Sequence, residues 1–526
     1  MPEPVPAARG AGPSLAVAPA SAGQARFALN AASNFAYLAL STVLMIWYVP
    51  YLMHHLGPAT YGIVPLANSL VMYAGLVCDG LNTSVYRYLA INLGRGDAPA
   101  ARRTFDAAAA LTLLTGAVLM LPAAAVTWLF PTLFAVPEGE EAAARFLFAS
   151  VCATMLTGML GGLFGASSQI THRFDLRNAV RATALLLRVG LVPLCFTVWP
   201  ASLWHVGAAF LASAVAGLAC EVAVWRYLTP QLTFRPHAAE PAAAREFISL
   251  SGWSTVNMVG FLLLVQVDLV IVNALFGAEA TGRYGALLLL PALVSACAEI
   301  VVPMLSPLIM AHYAARDGAG IAQLARRSVR LLGIALALPS GLVCGFGAPL
   351  LGLWLGAGFA ELDLVLALLC GHLALNLALR PLGYVLTAYN RVRVQGLVSL
   401  GAGLANLLLA LALARWTGWG IAAVAAAAAV VWTARNVVFL AIYSAFVIRV
   451  PWWSFIRPLA PGLAGLLAVT LVGRILTHAH APSSWPALAA ISGAVALAYA
   501  AAAYACLLTP ADRRAARQLL RRRFDV

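Results

Sequence analysis

The sequence predicts an all-α polytopic membrane protein with about 14 transmembrane helices, and three observations predict it. Of 526 residues, 62% are hydrophobic and 10% charged, with a mean hydropathy of +0.88, whereas soluble proteins carry roughly 25% charge. At least a dozen apolar stretches are long enough to cross a hydrocarbon core of about 30 Å. Arginines recur at alternate ends of these stretches, as they do where cytoplasmic loops carry the positive charge. A soluble enzyme and a disordered scaffold are excluded.

The elements follow in order. Apolar runs at about 30–53, 61–88, 104–131, 145–170, 179–200 and 202–227 give six helices, and runs at about 248–276, 283–313, 328–355, 361–389, 394–415 and 418–448 give six more. Runs at 456–477 and 485–509 complete fourteen. An even number puts both termini on one side, and the six arginines of the tail DRRAARQLLRRRFDV mark that side as cytoplasmic. The inward turns and termini then hold 26 of the 33 arginines. Outer turns such as HHLGPATYG, PTLFAVPEGEE, WPASLWH and LGAGFAELD hold few or none. Arg145, Arg283, Arg415 and Arg474 are expected near the outer face, and Arg188, Arg380 and Arg435 lie within helices. A helix more or fewer would destroy the alternation.

The chain also repeats itself. LGPATYG, ending at Gly62, is similar to FGAEATGRYG, ending at Gly285, and ARRT at Ala101–Thr104 returns as ARRS at Ala325–Ser328. Arg173 has a partner in Arg391 at a similar offset. Six helices separate the copies, so two six-helix lobes are expected, related by a pseudo-two-fold axis along the membrane normal. The expected divisions are a cytoplasmic tail 1–29, an N-lobe 30–228, a linker 229–247, a C-lobe 248–448, a two-helix appendage 449–509 and a basic tail 510–526.

Charge and cysteine usage bound the partners. All 33 basic residues are arginine, against 19 acids, a net charge of +14. Their placement at helix ends accounts for the surplus without nucleic acid. The eight cysteines fall inside apolar runs and form no CxxC pair, so neither a disulfide framework nor a zinc site is expected. The first 26 residues lack an apolar core before Phe27, which argues against a cleaved signal peptide and leaves targeting to the first membrane helix.

The motifs LGPATYG, DGLNTSVYRYLAINLGRGD, QITHRFDLRN and FGAEATGRYG together resemble the polysaccharide flippase (Wzx-like) branch of the multidrug/oligosaccharidyl-lipid/polysaccharide (MOP) exporter superfamily. The resemblance covers nearly the whole chain. It implies a flippase that moves a polyprenyl-pyrophosphate-linked oligosaccharide across the bacterial inner membrane by alternating access, for O-antigen, exopolysaccharide or capsule synthesis. The implied partners are that lipid-linked substrate, membrane lipids, and the polymerase and export machinery. By analogy with fourteen-helix lipid flippases, the last two helices would offer a groove for a polyprenyl tail; the equal alternative is a simple packing or stability role.

An ionisable side chain at a helix centre costs about 2.5–3.5 kcal/mol on insertion scales, so the intramembrane charges are the first place to look for function. Arg188, Arg380 and Arg435 lie roughly 13, 16 and 20 Å from the inner helix ends, counting about 1.5 Å per residue. A guanidinium stays charged and grips phosphate oxygens bidentately, which makes these three candidate pyrophosphate ligands. Arg87, beside Tyr86 and Tyr88, is a candidate at the entry, with an interfacial anchor as the favoured alternative. The structural alternatives are that Arg188 pairs with Glu221 and that Arg380 stabilises a break at Pro381. Asp268, Glu299 and Asp79 are candidates for coupling transport to a proton or sodium ion, Asp268 because Gln266 and Asn273 give it oxygen-rich surroundings; each acid could instead be an arginine's counter-ion.

Pro193, Pro291, Pro303 and Pro381 are expected to interrupt helices. Gly158, Gly161, Gly162 and Gly165 are expected to serve close packing. No resident cofactor, catalytic residue or metal site is expected; His478 and His480 lack further ligands in sequence, and no phosphate loop or hydrolytic triad is present. Two other functions compete. An ion-coupled multidrug exporter of the same superfamily would carry fewer helices and an acidic rather than basic midplane. A glycan polymerase or ligase would carry a large outer loop, whereas the longest here is about 15 residues.

Overall fold

The structure, a computed structural model, describes residues 20–236, 257, 259–510 and 512–514, without the side chains of 20–25, 27, 28, 73–84 and 87. Every regular element among them is helical. In hydrocarbon each backbone N–H and C=O must find its partner inside its own segment, and apolar runs of this length can do so only as helices.

Five helices come first: α1 (Ala20–Gly94), α2 (Ala98–Leu133), α3 (Glu141–Ile170), α4 (Phe174–Val198) and α5 (Leu203–Leu228). Then follow α6 (Val267–Leu287), α7 (Leu289–Val301), α8 (Leu305–Ala314), α9 (Gly318–Gly345), α10 (Gly347–Leu355), α11 (Asp363–Gly371), α12 (Leu373–Ala378) and α13 (Pro381–Ala388). The last are α14 (Val392–Trp416), α15 (Ile421–Thr433), α16 (Ala441–Ile448), α17 (Ala460–Ala479) and α18 (Trp485–Ala502).

Among the described residues twelve helical runs are long and apolar enough to span a membrane, and two of them, Leu29–Met72 and Val259–Ala314, hold 44 and 56 residues. At 1.5 Å per residue these reach about 66 and 84 Å, two hydrocarbon thicknesses or more. Each is bent at a glycine, Gly57 at φ 76°, ψ 161° and Gly277 at φ 83°, ψ −176°, a conformation essentially closed to any side chain with a Cβ. Counting two passes for each bent run gives the fourteen spans the hydropathy predicts.

The prolines divide. Pro303 lies in a 3₁₀ turn, Val302–Met304, between α7 and α8, Pro291 sits in the first turn of α7, and Pro381 opens α13 directly after Arg380. Pro193 does not interrupt its helix: α4 runs through it unbroken. A proline removes one ladder hydrogen bond, which a long, otherwise regular helix absorbs as a bend.

The chain forms two compact units, and each has its own core. Unit 1 comprises residues 1–45, 73–130 and 142–252. Its centre is a cluster of Phe105 from α2, Phe164 from α3 and Trp225 from α5, with Phe105 and Trp225 stacked at 5.7 Å between ring centroids. Unit 2 comprises residues 46–72, 131–141 and 253–526.

In unit 2 the two bent segments meet. Gly62, five residues beyond Gly57, lies against Gly282, five residues beyond Gly277, so closely that a Cβ on Gly62 would come within 2.6 Å of the Gly282 backbone nitrogen. The backbone therefore equates Gly57 with Gly277 and Gly62 with Gly282, an offset three residues shorter than the one matching the terminal Tyr-Gly pairs. Helix α17 packs just as closely on α9: Gly462 faces Gly333, and Gly473 faces Gly345. Phe455, Leu459 and Leu466 thereby enter the same core as Leu332, Leu336 and Leu377.

Candidate functional site

The most polar part of the unit 2 interior gathers around Arg435. Just after α15 the backbone widens into a π-helical turn, Ala434–Leu440, which carries Arg435 and Asn436; such bulges recur at functional sites because they re-aim side chains within a helix. Arg435 Nε and Nη2 donate to Ser399 Oγ at 3.2 and 2.7 Å, and Nη1 donates to Asn436 Oδ1 at 2.7 Å. Ser399 Oγ is also 2.7 Å from Asn257 Oδ1. Asn436 Nδ2 donates in turn to Asn376 Oδ1 at 3.2 Å, and Asn376 Nδ2 lies 3.1 Å from Thr433 Oγ1 and 2.9 Å from His372 Nδ1. The partners of Arg435 here are neutral: no carboxylate among the described residues forms an ion pair with it.

Arg380 is close enough to repel Arg435 electrostatically. It sits in the gap between α12 and α13, and its guanidinium is ion-paired with Glu299 of α7. Thus one pyrophosphate candidate and one ion-coupling candidate are joined. Both side chains are partly exposed, 35% and 52%.

Asp268 is different. At 5% exposure it is buried, accepting from Asn406 Nδ2 at 3.1 Å and from the Tyr284 hydroxyl at 3.2 Å. The surroundings expected for it were wrong: Gln266 turns to the Met72 sulfur, and Asn273 holds Thr281 and the backbone of Ala135. Asp268 lies on one helical face with the donors brought by α6 beyond its kink and by α14, a meeting that sequence neighbours cannot reveal.

In unit 1, Arg188 lies over the Phe210 ring, 4.8 Å from its centroid. Arg177 and Arg181 are the arginines whose charges act on Glu221, so Glu221 answers to the start of α4 rather than to Arg188 alone. Glu221 borders a cavity of about 440 Å³ also lined by Arg177, Arg181, Thr157, Gln169 and Tyr86. Gly158, Gly161, Gly162 and Gly165 line that cavity, with the Glu221 side chain against Gly161 and Gly165; the glycines make room for a polar space as well as for packing. Asp79 and Arg87 lie on α1, and their side chains fall outside the described residues.

Ser399, Asn436, Asn376 and Asn406 do not emerge from a search confined to ionisable residues. A signal was present: neutral polar side chains recur inside otherwise apolar runs. Each alone is cheap enough in a membrane helix to pass unnoticed.

The family model described as polysaccharide biosynthesis protein matches residues 30–309, more than half of the chain. The chain belongs to the polysaccharide biosynthesis protein family. This family member is also 28% identical over 501 residues to EpsK of Bacillus subtilis (strain 168), described as an uncharacterized membrane protein, covering 95% of this chain and 98% of the relative. Its fold is that of solved transporters. Lipid II flippase MurJ in an inward closed conformation matches with a TM-score of 0.63 at 11% identity, covering 91% of this chain and 100% of MurJ. An inward-facing multidrug resistance MATE family transporter of the MOP superfamily matches with a TM-score of 0.62 at 14% identity, covering 83% and 98%. The chain is thus a multi-pass membrane protein of the polysaccharide biosynthesis protein family with the fold of these transporters.

Proposed function

We propose that this protein flips a polyprenyl-pyrophosphate-linked oligosaccharide across the bacterial inner membrane by alternating access, with both termini cytoplasmic, and that Arg435 and Arg380 receive the pyrophosphate. The observation that carries the reading is Arg435, a guanidinium inside a spanning run held by neutral groups and next to a second arginine. An uncompensated cation in hydrocarbon is costly, and an arriving di- or trianionic head group would remove that cost. Arg380 would exchange Glu299 for a phosphate oxygen.

Asp268 supports coupling to a proton or sodium ion: it is a buried carboxylate held by neutral donors, free to gain a cation without first breaking an ion pair. An apolar groove of about 660 Å³ between α17 and α18, lined by Val472, Leu476, Ile491 and Val495 among others, suits an isoprenoid tail. The test is deletion followed by leaflet-resolved analysis of lipid-linked glycans. Accumulation of the complete oligosaccharide on the cytoplasmic side supports the reading; an unchanged distribution refutes it.

A further inference from the structure

A second cluster of arginines lies in unit 2, away from Arg435, where α9, the segment before α17 and the chain beyond α18 meet. It borders a cavity of about 650 Å³ whose lining includes Arg326, Arg327, Arg330, Arg457, Trp453 and Asp512, with Gln323, Ser454, Thr509 and three prolines completing the wall. Four guanidinium groups face one carboxylate, leaving a local surplus of three positive charges among the described lining residues.

That carboxylate is already spoken for. Asp512, 5% exposed, accepts from Arg327 Nε at 2.8 Å and is ion-paired with Arg330. Thr509 Oγ1 lies 2.6 Å from its Oδ2. Arg330 Nε is nonetheless buried without a hydrogen-bond partner, a donor whose desolvation is uncompensated. Arg457 stacks over Trp453, 5.2 Å from the ring centroid, and Arg326 forms no ion pair among the described residues.

The position identifies the ligand. The cavity lies at the ends of three spanning runs, Gly318–Gly345, Trp452–Ala479 and Trp485–Leu507, beside Trp452 and Trp453, which are 56% and 40% exposed. Exposed tryptophans at span ends mark the head-group layer. The apolar groove of α17 and α18 begins at Ala468 and Ala502, seven residues or about 10 Å along α17 from the cavity residue Pro461. A charged head and an apolar tail would therefore find adjoining sites.

We infer that Arg326, Arg327, Arg330, Arg457 and Trp453 form a binding site for the phosphate group of an anionic membrane lipid, in which Asp512 is a built-in competitor. Planar guanidinium groups in a basic pocket between helices are suited to lipid phosphates. Asp512 keeps the pocket folded by satisfying two of its arginines, and a phosphate adds the contacts that Arg326 and Arg457 leave unmade. The site is independent of what the transporter carries.

The experiment titrates the purified full-length protein in neutral detergent with phosphatidylglycerol, phosphatidylcholine or inorganic phosphate, reading the shift in thermal unfolding midpoint. Phosphatidylglycerol should raise the midpoint saturably while phosphatidylcholine and inorganic phosphate do not. Arg326→Gln combined with Arg457→Gln should weaken the phosphatidylglycerol response by about thirtyfold in apparent affinity. These two arginines were chosen because neither holds Asp512. Should that variant prove too unstable to titrate, Asp512→Asn carries the test, since removing the competitor must tighten binding. Equal responses to the two lipids, an unaltered response in the double glutamine variant, or no tightening in Asp512→Asn would overturn the site. A response to inorganic phosphate matching that to phosphatidylglycerol would overturn the lipid as its source.

Discussion

Arg435 and Arg380 differ in what compensates them, and that difference predicts their variants. Arg435 has neutral partners, so Arg435→Ala should weaken recognition of the lipid-linked substrate by about ten- to hundredfold, the worth of a charge-assisted hydrogen bond. Arg435→Lys keeps the charge but loses the bidentate fork and should fall between. Arg380→Ala strands Glu299, so its effect is to be read in the pair Arg380→Ala, Glu299→Gln. Export assayed at matched membrane abundance checks both, and normal export by a well-expressed Arg380→Ala, Arg435→Ala variant would make them structural. Asp268→Asn preserves the size of the side chain beside Tyr284 and Asn406 and should leave folding intact while removing the dependence of export on the ion gradient. Measuring export with and without an uncoupler decides it. Asp512, outside the spans, gives a pH prediction. Burial raises its pKa, but the Thr509 hydrogen bond and the Arg330 and Arg327 charges outweigh burial and hold it below its ordinary value. A depressed carboxyl contributes stability above its unfolded pKa of about 3.9 and loses it as pH falls through the lower folded value. Protease resistance of the C-terminal segment should hold constant down to about pH 4 and fall below it, and Asp512→Asn should abolish the pH dependence. Sequence reading found Arg435, Arg380, Glu299 and Asp268 because charge in an apolar run is conspicuous. It could not pair Arg380 with Glu299 or find Ser399, because which helix faces which is not written in hydropathy.

At the scale of elements, apolar length made the helices legible, and glycine placed the bends. LGPATYG and FGAEATGRYG read as turns between helices; in the structure each is a single left-handed glycine in a helix that resumes at once. The repeat register inferred from Tyr61 and Tyr284 differs from that of the backbone because the bend is fixed by the residue with positive φ, and tyrosine merely fills the core nearby. Gly57 and Gly277 have open space where a Cβ would stand, so Gly57→Ala or Gly277→Ala should cost about 1–3 kcal/mol through backbone strain alone. Thermal unfolding of the purified variants checks this; Gly62→Ala, which carries no such backbone strain but drives a methyl into the Gly282 backbone, should be worse than either. Gly462 is a similar contact. With Phe455, Leu459 and Leu466 in the α9 core, α17 cannot be removed by truncation without exposing that core.

For the whole molecule, the excess of arginine at alternate span ends is legible in the sequence, and three of its four exceptions have local partners. Of the arginines expected near the outer face, Arg283 is paired with Glu361 and Arg474 with Asp363, while Arg145 stacks over Trp128 at 5.3 Å. The central claim is that a polyprenyl-pyrophosphate-linked oligosaccharide crosses the bilayer through this protein. Its most direct test is reconstitution into vesicles carrying that lipid with a fluorescent label on the sugar, followed by an impermeant quencher. The account predicts that quenching passes well beyond the outer-leaflet share in vesicles with the wild-type protein and stops at that share in vesicles with the Arg380→Ala, Arg435→Ala variant. Quenching that stops at the outer-leaflet share with folded, correctly inserted wild-type protein would contradict it.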